Sequence, residues 1–280
     1  MSMSEYAIKH NLDMAELVLP SVVSRIIQSR VMRTDSEKEQ TKNKILQTTR
    51  QNSEDVFGVW DDLSDEEKQV ILGTLLGDSY LFRPNKTNNT YLECYHGIEQ
   101  IQYLYWKAYM LRRFKPKIMQ RLVYNKDAQR VVCVQYLRTL SSFIFGDLQK
   151  YLYDENSKII SDWILNQLNS LGLAVWFMDD GSSISGVSHV SLATQSFVRI
   201  DDREKITHYL NKKYGIKTSI QGDGSLYFIQ ETKDKFISLI QPHIIPLFTY
   251  KITDKNLLPI LRLSKKFSFD AGHFLETYLG

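Results

Sequence analysis

The sequence predicts an α+β chain made of two pseudo-symmetric copies of one unit, each running helix, two strands, helix, two strands, helix. Three observations carry that prediction. After residue 64, apolar periodicity alternates between helical and strand spacing in the same order twice. Two short, almost wholly apolar stretches stand at corresponding points of the copies, residues 71–78 and 173–180, and each runs into Asp. Turn-rich clusters at residues 84–89, 125–127 and 222–224 separate strand-like runs closely enough for antiparallel pairing.

In the first copy, Ser64 with Glu67 three residues later forms a capping-box signal, opening a helix expected to end at Asp78. Strands are expected at 79–82 and 91–95, then a helix at 99–114. Strands near 118–124 and 130–136 and a helix at 139–151 complete the unit. In the second copy, a helix ending at Asp180 leads to a strand-like run at 187–194. Asp201 and Asp202 open a helix to residue 214, strands near 217–221 and 225–230 flank Gly222-Asp223-Gly224, and a helix covers 233–240. The division expected is an N-terminal extension at 1–62, a first repeat at 63–168 and a second at 169–280. Within the extension, residues 11–33 read as an amphipathic helix and 34–55 as a solvated helix or linker, with no legible chemistry.

Duplication suggests a pseudo-dimer whose halves meet at the two apolar helices. Gly73 and Gly77 lie four apart on one helix face, and Ala174 offers a small residue on the other helix. Each helix-interior glycine costs roughly 1 kcal/mol relative to alanine, so two together imply close packing. That approach would bring Asp78 and Asp180 to one end of the helix pair. A helix C-terminus is partially negative, so a carboxylate there costs roughly 0.3–1 kcal/mol unless a cation offsets it. An Asp at such a place is ordinarily a turn former. Its recurrence at matching points argues instead for a divalent cation, and oxygen-only ligation suits Mg²⁺ or Mn²⁺ better than Zn²⁺.

The net charge of +3 does not by itself announce nucleic acid, but its distribution is uneven. Nine basic residues and one acid, Asp127, fall between Lys107 and Arg138, interleaved with aromatic and apolar residues. A folded basic surface suited to phosphate backbones is expected there. No apolar run approaches the ~20 residues that a membrane span needs. Residues 1–44 lack an apolar signal core and contain Glu5, Asp13 and Glu16, unlike a transit peptide. Cys94 and Cys133 are too few for a disulfide framework or a zinc finger and are expected to be buried free thiols in a reducing compartment.

Leu76-Gly77-Asp78-Ser79-Tyr80 and Trp176-Phe177-Met178-Asp179-Asp180-Gly181 resemble the two signature motifs of the LAGLIDADG homing endonucleases, in their single-chain form and the branch typified by I-SceI. Thr194-Gln195-Ser196-Phe197, Ile245-Pro246 and Tyr250-Lys251 add to the likeness, which covers about residues 64–260. Thr74 and Leu76 depart from the usual motif, away from the metal position. The resemblance implies a monomeric, site-specific endonuclease that cuts both strands of a long double-stranded DNA site and promotes intron mobility. It implies Mg²⁺ as cofactor, with Mn²⁺ able to substitute, held by Asp78 and Asp180 and by the backbone carbonyls of Gly77 and Asp179. Lys158 and Lys251 would serve as the catalytic lysines, and no histidine falls at a matching position to act as a base. Antiparallel sheets forming a saddle on the DNA would carry Arg83, Lys86, Gln135, Gln195, Lys217 and Gln221, with Arg130 and Arg138 from the basic stripe. Relatives also imply two alternatives: a maturase assisting splicing of its group I intron RNA, or a DNA-binding protein without cleavage. Family habit points to an organelle, mitochondrion or plastid.

Overall fold

The computed structural model describes residues 35–253, apart from 85–89, 126–128, 156 and 185–188. The chain divides into compact units at Met1–Val56 and Phe57–Gly280. Helix α1 (Asp35–Phe57) makes i,i+4 side-chain bonds, Arg50 to Glu54 at 2.7 Å and Gln51 to Asp55 at 3.0 Å. Those pairs support a solvated helix rather than a linker. The helix expected at 11–33 lies outside the described residues.

In the second unit, α2 (Asp65–Leu76) opens with the expected capping box: Glu67 N–H donates to Ser64 Oγ at 3.1 Å and Ser64 N–H to Glu67 Oε2 at 2.9 Å. It stops at Leu76, short of the expected Asp78, with Gly77 as its cap donating to Gly73 O at 3.1 Å. Strands β1 (Ser79–Phe82) and β2 (Tyr91–His96) follow, then α3 (Ile101–Met110). Next come β3 (Lys117–Asn125), β4 (Arg130–Arg138) and α4 (Phe143–Leu152). A two-stranded ribbon, β5 (Tyr153–Asp154) and β6 (Ser157–Lys158), and α5 (Asp162–Gln167) lead to α6 (Ser170–Asp180). Strand β7 (Gly181–Ile184) follows directly and was not expected, while β8 (His189–Leu192) falls within the run expected at 187–194. Helix α7 (Ile200–Tyr214), strands β9 (Thr218–Ile220) and β10 (Leu226–Phe228) and helix α8 (Gln230–Ile240) complete the second unit.

The two sheets have the same strand order, β1-β2-β4-β3 and β7-β8-β10-β9, and every pairing is antiparallel. The architecture is therefore the duplicated α+β unit predicted from the periodicity. Alternation along each strand gives each sheet two faces. Leu81, Leu92, Cys94 and Leu137 enter the core from the first sheet, and Val190, Leu192, Leu226 and Phe228 from the second. The opposite face of the first sheet carries Tyr80, Phe82, Tyr91, Tyr95, Tyr136 and Arg138; that of the second carries Ser182, Ser191, Ser219 and Tyr227.

Cys94 is buried as expected, but Cys133 is exposed. It lies on the β3–β4 hairpin, where Leu122, Tyr124 and Val131 are exposed as well. No described helix is long and apolar enough to cross a membrane.

Candidate active site

Helices α2 and α6 run parallel in direct contact. Along them Gln69 meets the chain just before α6, Gly73 meets Gly172 and Val175, and Gly77 meets Asp179. Gln69 fixes the start of this register: its Nε2 donates to Gln167 O at 2.8 Å, and Asn169 N–H donates to its Oε1 at 2.8 Å. Asn169 in turn caps α6, accepting from Leu171 N–H at 2.9 Å. A Cβ on Gly73 would press on the Gly172 carbonyl and stand 2.7 Å from Val175 Cβ, and one on Gly77 would stand 2.5 Å from Asp179 Cβ. Both glycines are therefore required by the close approach of the helices, Gly73 against the Gly172 backbone and Gly77 against the Asp179 side chain, as predicted. The small partner opposite is Gly172 rather than Ala174.

A parallel pair brings both partially negative C-termini to the same end. Three carboxylates, Asp78, Asp179 and Asp180, gather there, and the chain answers with three lysines. Lys158 Nζ donates to Gly77 O at 3.1 Å and Leu76 O at 3.3 Å, at the end of α2. Lys251 Nζ donates to Met178 O at 2.7 Å and Asp179 O at 3.4 Å, at the end of α6. The two lysines named from the sequence thus hold equivalent places on the two helices, each supplying the cation that a helix C-terminus favours. The main-chain oxygens of Gly77 and Asp179 lie at the site, each engaged by one ammonium and each keeping a second lone pair.

The third lysine, Lys107 of α3, was missed by sequence reasoning. It is fully buried and donates to Asp179 Oδ1 at 2.8 Å and Oδ2 at 3.0 Å. It also touches Cys94 Sγ at 3.3 Å and His96 Nε2 at 3.2 Å, and lies 4.3 Å from the Tyr103 ring centroid. The basic stripe expected from the sequence is therefore interrupted: Lys107 belongs to the core of the site and not to a surface. Arg113 is also tied down, by Glu67 at 3.0 Å.

A histidine that sequence reading did not single out, His96, stands beside the acids. It is buried, with Nδ1 3.6 Å from Asp78 Oδ2 and Nε2 3.9 Å from Asp179 Oδ1. Because the Lys107 ammonium can only donate, Nε2 must accept from it, leaving Nδ1–H to donate to Gln100 Oε1 at 2.9 Å. Burial and the adjacent Lys107 push the His96 pKa down to about 4, consistent with that neutral tautomer. A signal existed in the sequence: Leu92, Cys94 and His96 share the core face of β2, and Tyr103, Lys107 and Leu111 recur at helical spacing.

Burial, reinforced by Asp78 and Asp179, raises the Asp180 carboxyl to about 7, with Lys158 and the Trp176 indole opposing the rise. Burial and Asp179 also raise Asp78, against Lys107, Lys251 and Lys158. Burial holds Lys158 and Lys251 below the ordinary ammonium range despite the acids beside them. The three lysines therefore leave Asp78 and Asp180 short of positive charge. Ligand atoms of Asp78, His96 and Asp179 lie within 4.8 Å of one another, but the Lys107 ammonium already fills that corner. The free carboxyl surface is that of Asp78, whose side chain is 40% exposed, and of the half-buried Asp180. These oxygens suit a hard divalent cation.

The remaining expected residues separate. Lys217 and Gln221 are exposed at the two ends of β9, in register with the outward Ser219, and Gln221 Nε2 donates to Ser219 Oγ at 2.9 Å. Gln195 is exposed in the loop after β8, and Arg83 is exposed just beyond β1. Arg138 is on the outer face but is ion-paired with Glu93. Gln135 is a correction: its register partner is His96, so it points to the core face, where it is buried and donates to Gln120 Oε1 at 3.2 Å. Lys86 and the Arg130 side chain lie outside the described residues. Sequence reading did not single out Arg121, whose guanidinium stands 4.6 Å from the Tyr95 ring centroid on the outer face.

With this geometry established, comparison with known proteins identifies the lineage. Residues 68–239 match the model of the LAGLIDADG DNA endonuclease family. The chain belongs to that family. This LAGLIDADG chain is 30% identical over 208 residues to "Protein RecA" of Mycolicibacterium fallax, covering 68% of the chain and 47% of the relative. The chain thus spans about half the length of the first relatives it matches. It is 27% identical over 213 residues to "Probable intron-encoded endonuclease 1" of Wickerhamomyces canadensis, covering 69% of the chain and 86% of the relative. It is 23% identical over 209 residues to "Cytochrome b mRNA maturase bI2" of Debaryomyces hansenii, covering 71% and 78%. Among solved structures, "The homing endonuclease I-WcaI bound to its DNA recognition sequence" superposes with a TM-score of 0.61 at 21% identity, covering 81% of this chain and 97% of that one.

Proposed function

We propose that this chain is a site-specific, metal-dependent DNA endonuclease that hydrolyses both strands of a long duplex site, as a monomer whose two repeats each serve one half of the site. The observation that carries the reading is the convergence of Asp78 and Asp180 at the shared C-terminal end of two parallel helices, both raised by burial and by neighbouring acids, and both flanked by lysines. Divalent ions, Mg²⁺ or Mn²⁺, would be held by the two carboxylates, with the Gly77 and Asp179 carbonyls beside them. When bound they supply Lewis-acid stabilisation of the phosphate and a water of lowered pKa. Asp78 and Asp180 would hold the ions there and so orient that chemistry. Lys158 and Lys251, held on the helix-end carbonyls, would set positive charge beside the developing phosphorane and donate a proton toward the leaving oxygen. The Lys107–Asp179 pair keeps the Asp78 main chain in place.

The outer sheet faces supply the DNA surface in this reading. Arg121, Lys217, Gln221, Gln195 and Arg83 are the contacts it assigns, while Arg138 is partly neutralised by Glu93. The name of the Wickerhamomyces relative supports an intron-encoded mobile element. The proposed organellar location rests on the two yeast names alone, since other relatives are bacterial.

A plasmid carrying the fused junction of the host gene, incubated with the protein, should be linearised in Mg²⁺ and remain intact in EDTA. Binding to that DNA without cutting in either condition would favour a DNA-binding protein. The Debaryomyces relative favours one further reading, splicing assistance, which a gel shift on the group I intron RNA tests.

A further inference from the structure

Trp176 has no part in the chemistry above, although it lies on α6 one helical turn before Asp180. It is fully buried, its ring edge-on to Phe197 with centroids 6.1 Å apart. Lys158 Nζ stands 5.7 Å from that same Phe197 ring, so indole, phenyl and ammonium wall one side of the Asp180 corner. Trp176 Nε1 is among three buried side-chain polar atoms of the described residues that close no hydrogen bond. Leaving a buried donor unpaired costs roughly 1–3 kcal/mol, and native structures rarely do so without a reason.

The helix supplies the reason. Residues four apart share a face, and side chains lean toward the helix N-terminus, so the Asp180 carboxyl is directed back toward the indole. The indole opposes the rise of the Asp180 pKa, as a donor to the carboxylate would. We propose that Trp176 is a positioning residue: its N–H donates to the Asp180 carboxylate and fixes which oxygen faces the metal. The proposal rests on the metal-dependent reading above.

The other repeat is built differently. The equivalent position on α2 is Thr74, whose Oγ1 is also buried without a partner. Asp78, however, lies beyond the end of α2, so no helical lean carries its carboxyl back over Thr74. Asp78 has His96 beside it instead, at 3.6 Å. Loss of the indole donor should therefore be felt on one strand only.

The test replaces Trp176 with benzothienylalanine, which keeps the ring shape but has no N–H, alongside the simpler Trp176→Phe. End-labelled duplex cleaved by the wild-type protein, isolated from a randomised library, is used to follow each strand separately. Asp180→Asn identifies the strand that Asp180 serves. Both Trp176 replacements should slow that strand about tenfold, the rate equivalent of one charge-assisted hydrogen bond, and leave the other within about twofold. Calorimetric Ca²⁺ affinity, which needs no turnover, should fall several-fold. Unchanged Ca²⁺ affinity in the benzothienylalanine protein, or equal slowing of both strands, would overturn the proposal. A wild-type protein that cuts no duplex would contradict the nuclease reading, while the Ca²⁺ comparison would still decide the role of Trp176.

Discussion

Lys107 donates to both carboxylate oxygens of Asp179, at 2.8 and 3.0 Å, although neither side chain reaches solvent. The pair joins the two repeats, because Asp179 Oδ2 also accepts the Asp78 N–H at 3.3 Å. Removing one partner of such a pair strands a buried charge, at a cost of about 3–5 kcal/mol. Lys107→Met should lose that much in urea unfolding, and adding Asp179→Asn should recover most of it. A single variant within about 1 kcal/mol of wild type would show that the pair is not structural.

Backbone approach at Gly73 yields a paired prediction. Gly73→Ala drives a methyl onto the Gly172 carbonyl and Val175, whereas a Cβ at Gly222 meets nothing within 4 Å. Gly73→Ala should therefore destabilise by about 1–3 kcal/mol or more, as overpacking does. Gly222→Ala, on a two-sided turn, should change stability little. Thermal melting of both variants checks the contrast, and equal effects would remove the steric argument.

The pH dependence follows from two opposed groups. Burial, with Asp78 and Asp179, raises Asp180 from 3.8 to about 7, so between those values the folded chain holds a proton the unfolded chain lacks. That contribution lowers stability as pH rises from about 4 to about 7. Burial and Lys107 push His96 from 6.5 down to about 4, so there the unfolded chain takes the proton, and stability rises with pH over that window. The two largely cancel below pH 6.5. In EDTA, the stability of Asp180→Asn should rise from about pH 4 to 6.5 more steeply than that of wild type. Parallel curves in urea titrations would contradict the Asp180 assignment.

On the DNA surface, Lys217 is exposed and Gln135 is turned to the core. Lys217→Ala should weaken duplex binding and reduce the salt slope by about 1, as loss of one phosphate contact does. Gln135→Glu, which keeps the side chain's size, should leave the salt slope of binding unchanged. Fluorescence anisotropy across a salt series measures both. A changed slope for Gln135→Glu would exchange the faces assigned to the first sheet, and an unchanged slope for Lys217→Ala would remove the outer face of the second from the DNA surface.

The duplicated unit was legible because its signals are local: period changes, turn clusters and the Ser64–Glu67 cap each occupy a few residues. Asp78 and Asp180 could be singled out because two apolar stretches recur at matching points, and Lys158 and Lys251 only through the family resemblance; folding brings the four to one end of the helix pair. Lys107 and His96 were not legible, because their partner Asp179 is 72 residues from Lys107 in the chain and only folding joins them. On the sequence, a Lys and a His on core faces look like exceptions to the pattern rather than parts of a site. The early end of α2 was hidden for a similar reason, since Gly77 packs against the Asp179 side chain across the interface. Gln135 was misplaced because strand parity depends on a register that only pairing with His96 sets.

The carboxylates at the two helix ends are partly answered within the folded chain itself. Three lysines supply part of the cation that the sequence seemed to demand of a metal, yet Asp180 still stands at about 7. The most direct measurement is cleavage and binding of the same duplex by Asp78→Asn and Asp180→Asn in Mg²⁺. Double-strand cleavage should be lost in each, with duplex affinity kept within a few-fold of wild type. Either variant cutting both strands at the wild-type rate would contradict the assignment of the two carboxylates.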